Sequence, residues 1–319
     1  MNLNATVGNT VAAGQIDRPI SGVGPDLLAR LSISAPSLPR LLVIFAHPDD
    51  EVLATGARLE RLSQSRLLCV TDGAPADGQD ARAHGFATLD AYREARRIEL
   101  QTALRLGGLP EGCAHPLLLP QPDGSQRSLP DQTAALHLAE LTRAVSGEIE
   151  LYRPEAILTH PYEGGHPDHD SCAFAVHTAV SLLHPTPAPV ILEAPFYHAG
   201  PNGIETGEFL NEIRPASATR APSTIFDLSP EQQARKRRLL ECFVTQSETL
   251  NQFRTEREQF RIAPAYDFAQ APHAGPLFYE SFPWRFTGKR FRELVAAAIE
   301  ELDAPKVSHR SALDDADDV

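Results

Sequence analysis

Residues 41–46 read L-L-V-I-F-A, six apolar residues without a polar break, and the run stops at H-P-D-D-E (residues 47–51). An apolar run this short, bounded by turn residues, reads as a strand buried on both faces. Such strands belong to sheets covered by helices on both sides, so this stretch narrows the fold more than any composition figure. Strand-like runs recur at 66–70, 114–119, 155–159 and 189–193, and segments of helical spacing separate or follow them at 52–63, 90–106, 132–149 and 171–183. Strands alternating with helices predict an α/β fold, a mostly parallel sheet with helices on both faces.

The flanks lack this rhythm. Residues 1–38 are rich in Gly, Pro, Ser and Asn and predict a flexible N-terminal arm with one short helix near 25–31. Residues 199–226 and 262–288 carry Pro, Gly and aromatic residues with little periodicity, so the region 199–288 is expected to wall a site. Helices are expected at Ser229–Thr245, with Ser229 as N-cap and Pro230 after it, and at Arg290–Leu302. The end, D-D-A-D-D-V, predicts an acidic disordered tail over 304–319. One domain over 39–303 is the expectation, and 319 residues with 42% hydrophobic content can bury its core. The net charge of -13 argues against a nucleic-acid partner, because phosphates repel it. No apolar run approaches the ~20 residues of a membrane span. No signal sequence is evident, and the four cysteines are scattered, which together predict a cytoplasmic protein with reduced thiols. A homo-oligomer is left open.

In parallel sheets, sites form beyond the carboxyl ends of the strands. The two histidine-rich stretches fall there. H-P-D-D-E follows the strand at 41–46, and T-H-P-Y-E-G-G-H-P-D-H-D (159–170) follows the strand at 155–159. Helix capping accounts for one or two of the first three acids but not for His47. Two His-Pro-Asp elements at strand exits bring imidazoles and carboxylates to one sheet edge, a donor set that suits zinc or a similar divalent ion. The Gly-rich stretch 72–86, with Asp72, Asp77 and His84, is expected to be a lid or specificity loop beside it.

The pair A-H-P-D-D-E (46–51) and H-P-D-H (166–169) resembles the PIG-L (LmbE-like) family of zinc-dependent N-deacetylases, over about residues 39–185. The resemblance implies a Rossmann-like (LmbE-like) fold. It implies removal of an acetyl group from an N-acetylglucosamine-type sugar or conjugate, by attack of a zinc-bound water assisted by an aspartate. Carried over residue by residue, it implies metal ligands His47, Asp50 and His169, with Asp49 as general base. His166 then stabilises the oxyanion or acts as acid, and Asp168 holds its tautomer. Glu51 becomes a supporting or helix N-terminal group. Zinc is the default metal, and iron(II) suits the same ligands. Arg96, in R-R-I-E (96–99), matches a family arginine that reaches sugar hydroxyls or a phosphate. Lys236, Thr245 and Gln246 resemble a looser family element. Several family members place a tyrosine where this chain has Gly164, and Tyr162 is the expected replacement as a substrate residue. The partner expected is a small acylated amino sugar. Rival readings are a two-metal phosphoesterase using His160 and Glu163, an amidase acting on a non-sugar amide, and a non-catalytic carbohydrate-binding protein. Aromatic residues such as Phe196, Tyr197, Phe278, Tyr279 and Trp284 fit either a sugar-stacking wall or the core.

Overall fold

The computed structural model describes residues 23–32, 37–121, 123–201, 203–210 and 223–304. In chain order the elements begin with α1 (Val23–Arg30), β1 (Leu41–Phe45), α2 (Asp50–Thr55), β2 (Arg66–Cys69), β3 (Thr71–Pro75), α3 (Gln79–Ala83), α4 (Leu89–Leu106) and β4 (Ala114–Pro116). They continue with β5 (Leu119–Pro120), β6 (Gln126–Arg127), β7 (Leu129–Asp131), α5 (Leu138–Tyr152), β8 (Ala156–Thr159), α6 (Pro167–Leu183) and β9 (Val190–Glu193). They end with β10 (Tyr197–Gly200), β11 (Gly203–Thr206), β12 (Ser223–Asp227), α7 (Pro230–Leu240), α8 (Ser247–Leu250), β13 (Arg257–Ile262) and α9 (Gly288–Asp303).

Among these, seven strands form one sheet in the order β12-β13-β9-β8-β1-β2-β4. Every pair from β9 to β4 is parallel. β13 runs antiparallel to both its neighbours. The sheet is therefore mostly parallel, as the alternation predicts. β1 alternates its side chains between two cores. Leu41, Val43 and Phe45 pack with residues of α1, α2, α4 and α7, among them Leu28, Val52, Leu104 and Leu239. Leu42, Ile44 and Ala46 pack with Leu141 and Val145 of α5 and Cys172 and Val176 of α6. Helices thus cover both faces, and β1 has no face left for water.

Several expectations shift. Residues 52–63 are not one helix: α2 stops at Thr55 and a 3-10 helix continues over Gly56–Gln64. The strand expected at 114–119 splits into β4 and β5. Helix α5 is preceded by a 3-10 turn at Ala134–His137. Residues 72–86 are not a plain loop. They hold β3, which pairs in parallel with β7, and then α3. The region 199–288 adds β12 and β13 to the main sheet besides the β10–β11 hairpin. The core also reaches back before residue 39, since Leu27, Leu28 and Leu31 are buried in it. Residues 1–22 and 33–36 of the expected arm lie outside the described residues. So do 305–319, which make up the expected acidic tail after Ala304. The cysteines are unpaired: Cys69 and Cys172 are buried, and Cys113 and Cys242 are half-buried.

β1 lies between β2, the next strand in the chain, and β8. The connections diverge at that point, which opens a crevice at the carboxyl ends of β1 and β8.

Candidate metal and catalytic site

From the tip of β1 the chain turns through His47–Asp49 into α2. Asp50 closes the turn, its Oδ2 accepting from the His47 backbone N–H at 2.8 Å. β8 ends beside it, and the loop after Thr159 leads to α6. His166 caps that helix. Its Nδ1 accepts from the Asp168 backbone N–H at 3.1 Å, and Pro167 takes the first helical position. The helix therefore starts four residues before the expected 171, and its first turn carries His169 back toward β1.

Three side chains bring donor atoms together there. His47 Nδ1 lies 3.1 Å from His169 Nε2 and 3.4 Å from Asp50 Oδ2, and His169 Nε2 lies 3.5 Å from Asp50 Oδ1. A tetrahedral zinc with bonds of about 2.0–2.1 Å spaces its ligands by about 3.3 Å. The side chains already stand at the separations one divalent ion imposes, and all three are buried. The electrostatics agree. Burial pulls the His169 imidazole down to about 3, helped by His160, which leaves a free lone pair. Burial opposes a charge on His47, but Asp131, Asp168 and Asp50 outweigh it and hold its imidazole well above the ordinary value. Burial opposes charge on Asp50 too, yet His169 and His160 hold its carboxyl well below the usual range. A field that keeps a proton on a buried histidine also favours a cation in its place.

Asp49 sits beside this cluster. Arg96, only 2% exposed, donates from Nη2 to Asp49 Oδ2 at 3.1 Å and from Nε to the Gly73 carbonyl at 3.2 Å. Burial pushes the Asp49 carboxyl up to about 6, against the pull of Arg96. A carboxylate poised there is suited to general-base work near neutrality. Glu51 is buried next to it, with Oε1 lacking a hydrogen-bond partner and its carboxyl raised by burial.

His47 also faces a second group. Its Nε2 lies 3.1 Å from Asp131 Oδ1 and 3.4 Å from Asp168 Oδ2, and His166 Nε2 lies 3.7 Å from the same Asp131 oxygen. Asp131 was not foreseen. It arrives on β7 through the pairing with β3, and nothing in the local sequence L-P-D marks it. His160, read as a possible second-metal ligand, instead supports the first site. Its Nε2 accepts from the Ala46 N–H at 2.9 Å, and its ring stacks on His169 at 3.9 Å. Glu163 Oε1 accepts from the backbone N–H groups of Phe196 and Tyr197, both at 3.0 Å, and Oε2 is buried without a hydrogen-bond partner.

Two expected roles are corrected. The Asp168 carboxylate does not hold His166, whose Nδ1 is 4.0 Å away. It accepts from the N–H groups of Gln132 at 2.7 Å and Ala134 at 3.0 Å, and the tautomer of His166 is set by the Asp168 backbone N–H. Tyr162 is a core residue, 2% exposed, packed with Phe174 and Phe291 and donating its hydroxyl to the Gln270 carbonyl at 2.8 Å. The tyrosine at the cluster is Tyr197, with its ring 5.3 Å from that of His169. Lys236 and Thr245 are structural too. Lys236 donates to the Leu53 carbonyl at 2.6 Å, and the Thr245 hydroxyl donates to Glu99 at 2.6 Å.

Residues 42–180 match the model of the PIG-L family, GlcNAc-PI de-N-acetylase. The matched stretch contains both His-Pro-Asp elements. A curated relative from Saccharopolyspora erythraea, 1D-myo-inositol 2-acetamido-2-deoxy-alpha-D-glucopyranoside deacetylase 1, is 30% identical over 160 residues, which is 44% of this chain and 52% of the relative. A second, from Bacillus cereus and named "Probable N-acetyl-alpha-D-glucosaminyl L-malate deacetylase 2", is 30% identical over 156 residues, 47% of this chain and 65% of the relative. The chain thus spans about half to two thirds of the length of these relatives. Among solved structures, the A40926 pseudoaglycone deacetylase matches with a TM-score of 0.49 and 18% identity, over 70% of this chain and 96% of its own. Among the described residues, no helix is long and apolar enough to cross a membrane.

Proposed function

We propose that this protein is a metal-dependent hydrolase that removes the N-acetyl group from an N-acetylglucosamine-type sugar or its conjugate. The observation that carries the reading is the convergence of His47 Nδ1, Asp50 and His169 Nε2 with Asp49 held beside them by Arg96. The relatives, named as deacetylases of acetylated glucosaminides, supply the substrate class.

His47, Asp50 and His169 would hold the ion, zinc by ligand type, with iron(II) compatible. When bound, it supplies a Lewis acid that acidifies water and polarises a carbonyl. The remaining chemistry belongs to side chains. Asp49 accepts a proton from the attacking water through the carboxylate whose Oδ2 is fixed by Arg96. The water oxygen bonds to the amide carbon, the C–N bond breaks, and Asp49 returns the proton to the departing amine. Acetate and a free amino sugar result. His166 acts as a neutral donor rather than as an imidazolium, because burial, with His47 beside it, pulls it down to about 4. Its Nδ1 is an acceptor, so Nε2 carries the hydrogen and can bond the oxygen on which charge builds.

The two-metal rival is weaker here. The second group of donors shares His47 with the first, and Asp168 already accepts two backbone hydrogen bonds. The test is acetate release from a panel of N-acetylglucosaminides, with phosphate release from phosphomonoesters measured in parallel. Acetate release that stops on chelation and returns with zinc or iron(II) is expected. Phosphate release without acetate release would sink the reading.

A further inference from the structure

The candidate site has two unlike halves. Asp49, Arg96, Asp131 and His47 form a polar half. Beside them, the rings of His169, Tyr197, Phe278, Phe282, Trp284 and His166 close into one continuous circuit. Successive centroids are 5.3, 5.7, 5.2, 4.4 and 5.0 Å apart, and His166 returns to His169 at 5.4 Å. Separations of this size are those of favourable aromatic pairs. Phe282 and Trp284 lie nearly parallel, at 10°, and Trp284 meets His166 edge to face at 68°. Two members of the circuit are the imidazoles placed at the reaction centre, so the aromatic wall begins one ring away from it.

The wall is prebuilt. The Glu280 carboxylate accepts from the N–H groups of Leu277 at 3.1 Å and Gly288 at 2.8 Å, which clamps the segment at both ends. The Phe278 N–H donates to the Gly164 carbonyl at 2.9 Å and ties the wall to the loop that carries His166. Leu277 occupies the room a side chain at residue 164 would need, and Gly164 has φ +72°. This accounts for a glycine where the resemblance leads one to expect tyrosine. Yet the pair at the end is not core. Phe282 is 37% exposed and Trp284 is half-buried. A stacked aromatic pair that is held rigid, set at a site and left partly open to water has apolar area to give to a ligand.

We propose that Phe282 and Trp284 form a specificity-determining platform that takes an aromatic ring carried by the amino sugar beyond the sugar itself. This deepens the deacetylase reading and rests on it. The platform faces the group attached to the sugar. The segment suits a flat apolar group better than a polyol or an acid. Its carboxylate is spent as a clamp, Ser281 donates to the Phe278 carbonyl at 2.7 Å, and the remaining charged side chain between Leu277 and Thr287, Arg285, is exposed.

Trp284 is the only tryptophan in the chain, so indole fluorescence reports on the platform alone. The probes are phenyl and methyl glucosaminides without the acetyl group, which bind without turnover. The phenyl glycoside should change Trp284 emission on binding and bind about tenfold tighter than the methyl glycoside. Phe282→Ala, checked for folding by circular dichroism, should bring that ratio close to one. Equal binding of the two glycosides, or a preference that survives in Phe282→Ala, would overturn the platform. Acetate release from the N-acetylated methyl glycoside, followed in the same preparation, separates the two claims. Release with no phenyl preference defeats the platform alone. Binding of neither glycoside defeats the platform together with the amino-sugar reading.

Discussion

His47 faces two groups of donors at once, and each of its nitrogens serves one. The atoms of both groups stand at similar separations, but in the group with Asp131, His166 and Asp168 the Asp168 carboxylate already accepts two backbone N–H groups and His166 Nδ1 accepts one. One divalent ion per chain is therefore expected in the wild type and in Asp131→Ala, and its loss is expected in His169→Ala. Elemental analysis after dialysis decides this, and the reverse pattern would place the ion in the other group. That His47, Asp50 and His169 come together was legible in the sequence, because one His-Pro-Asp element follows β1 at once and the other opens the helix after β8. Asp131 was not legible. Its position depends on β3 pairing with β7, a contact between residues far apart in the chain whose strands carry no apolar run. Arg96 was found by spacing, but its role changed. Nothing in R-R-I-E says that the arginine turns inward to Asp49 rather than outward to a ligand.

At the scale of elements, the parallel core was readable because strands buried on both faces must be apolar throughout. β13 was not, because R-E-Q-F-R-I alternates charges that read as solvated. Two of those charges are inside and paired, Glu258 with Arg58 at 2.6 Å and Arg261 with Glu193 at 2.7 Å, and Arg257 is exposed. The loop between β8 and α6 is fixed by close backbone approach. A Cβ on Gly165 would lie 1.9 Å from the Tyr197 carbonyl oxygen, so Gly165→Ala must push two backbones apart. It should destabilise the fold by about 1–3 kcal/mol or more and weaken metal binding with it. Gly147 on α5 offers the contrast. It is exposed and has no atom within 4 Å of a built Cβ, so Gly147→Ala should stabilise by about 0.5–1 kcal/mol. Melting curves of the two variants should move in opposite directions, and equal or reversed shifts would contradict this packing.

Across the whole molecule, the antiparallel end of the sheet is fastened by one buried ionic cluster. Glu258 receives Arg58 at 2.6 Å, Lys236 at 3.3 Å and the Ala57 N–H at 2.8 Å. Arg58 also reaches the Leu31 carbonyl at 2.8 Å and lies 4.1 Å from the centre of the Phe226 ring. The segment after α1, the 3-10 helix after α2, the helix α7 and the strands β12 and β13 thus converge on one carboxylate. Glu258→Gln would leave two buried cations without a counter-charge, and a loss of about 3–5 kcal/mol is expected. Chemical denaturation measures it, and an unchanged midpoint would show that the cluster fastens nothing.

The most direct test of the central claim is acetate release from an N-acetylglucosaminide by metal-loaded wild type and by Asp49→Asn, with metal content measured on the same samples. Release by the wild type, reduced about 10²–10⁴-fold in the variant with the ion still bound, is the predicted result. Equal release by both proteins would remove Asp49 from the reaction, and no release from a fully metal-loaded wild type would contradict the deacetylase itself.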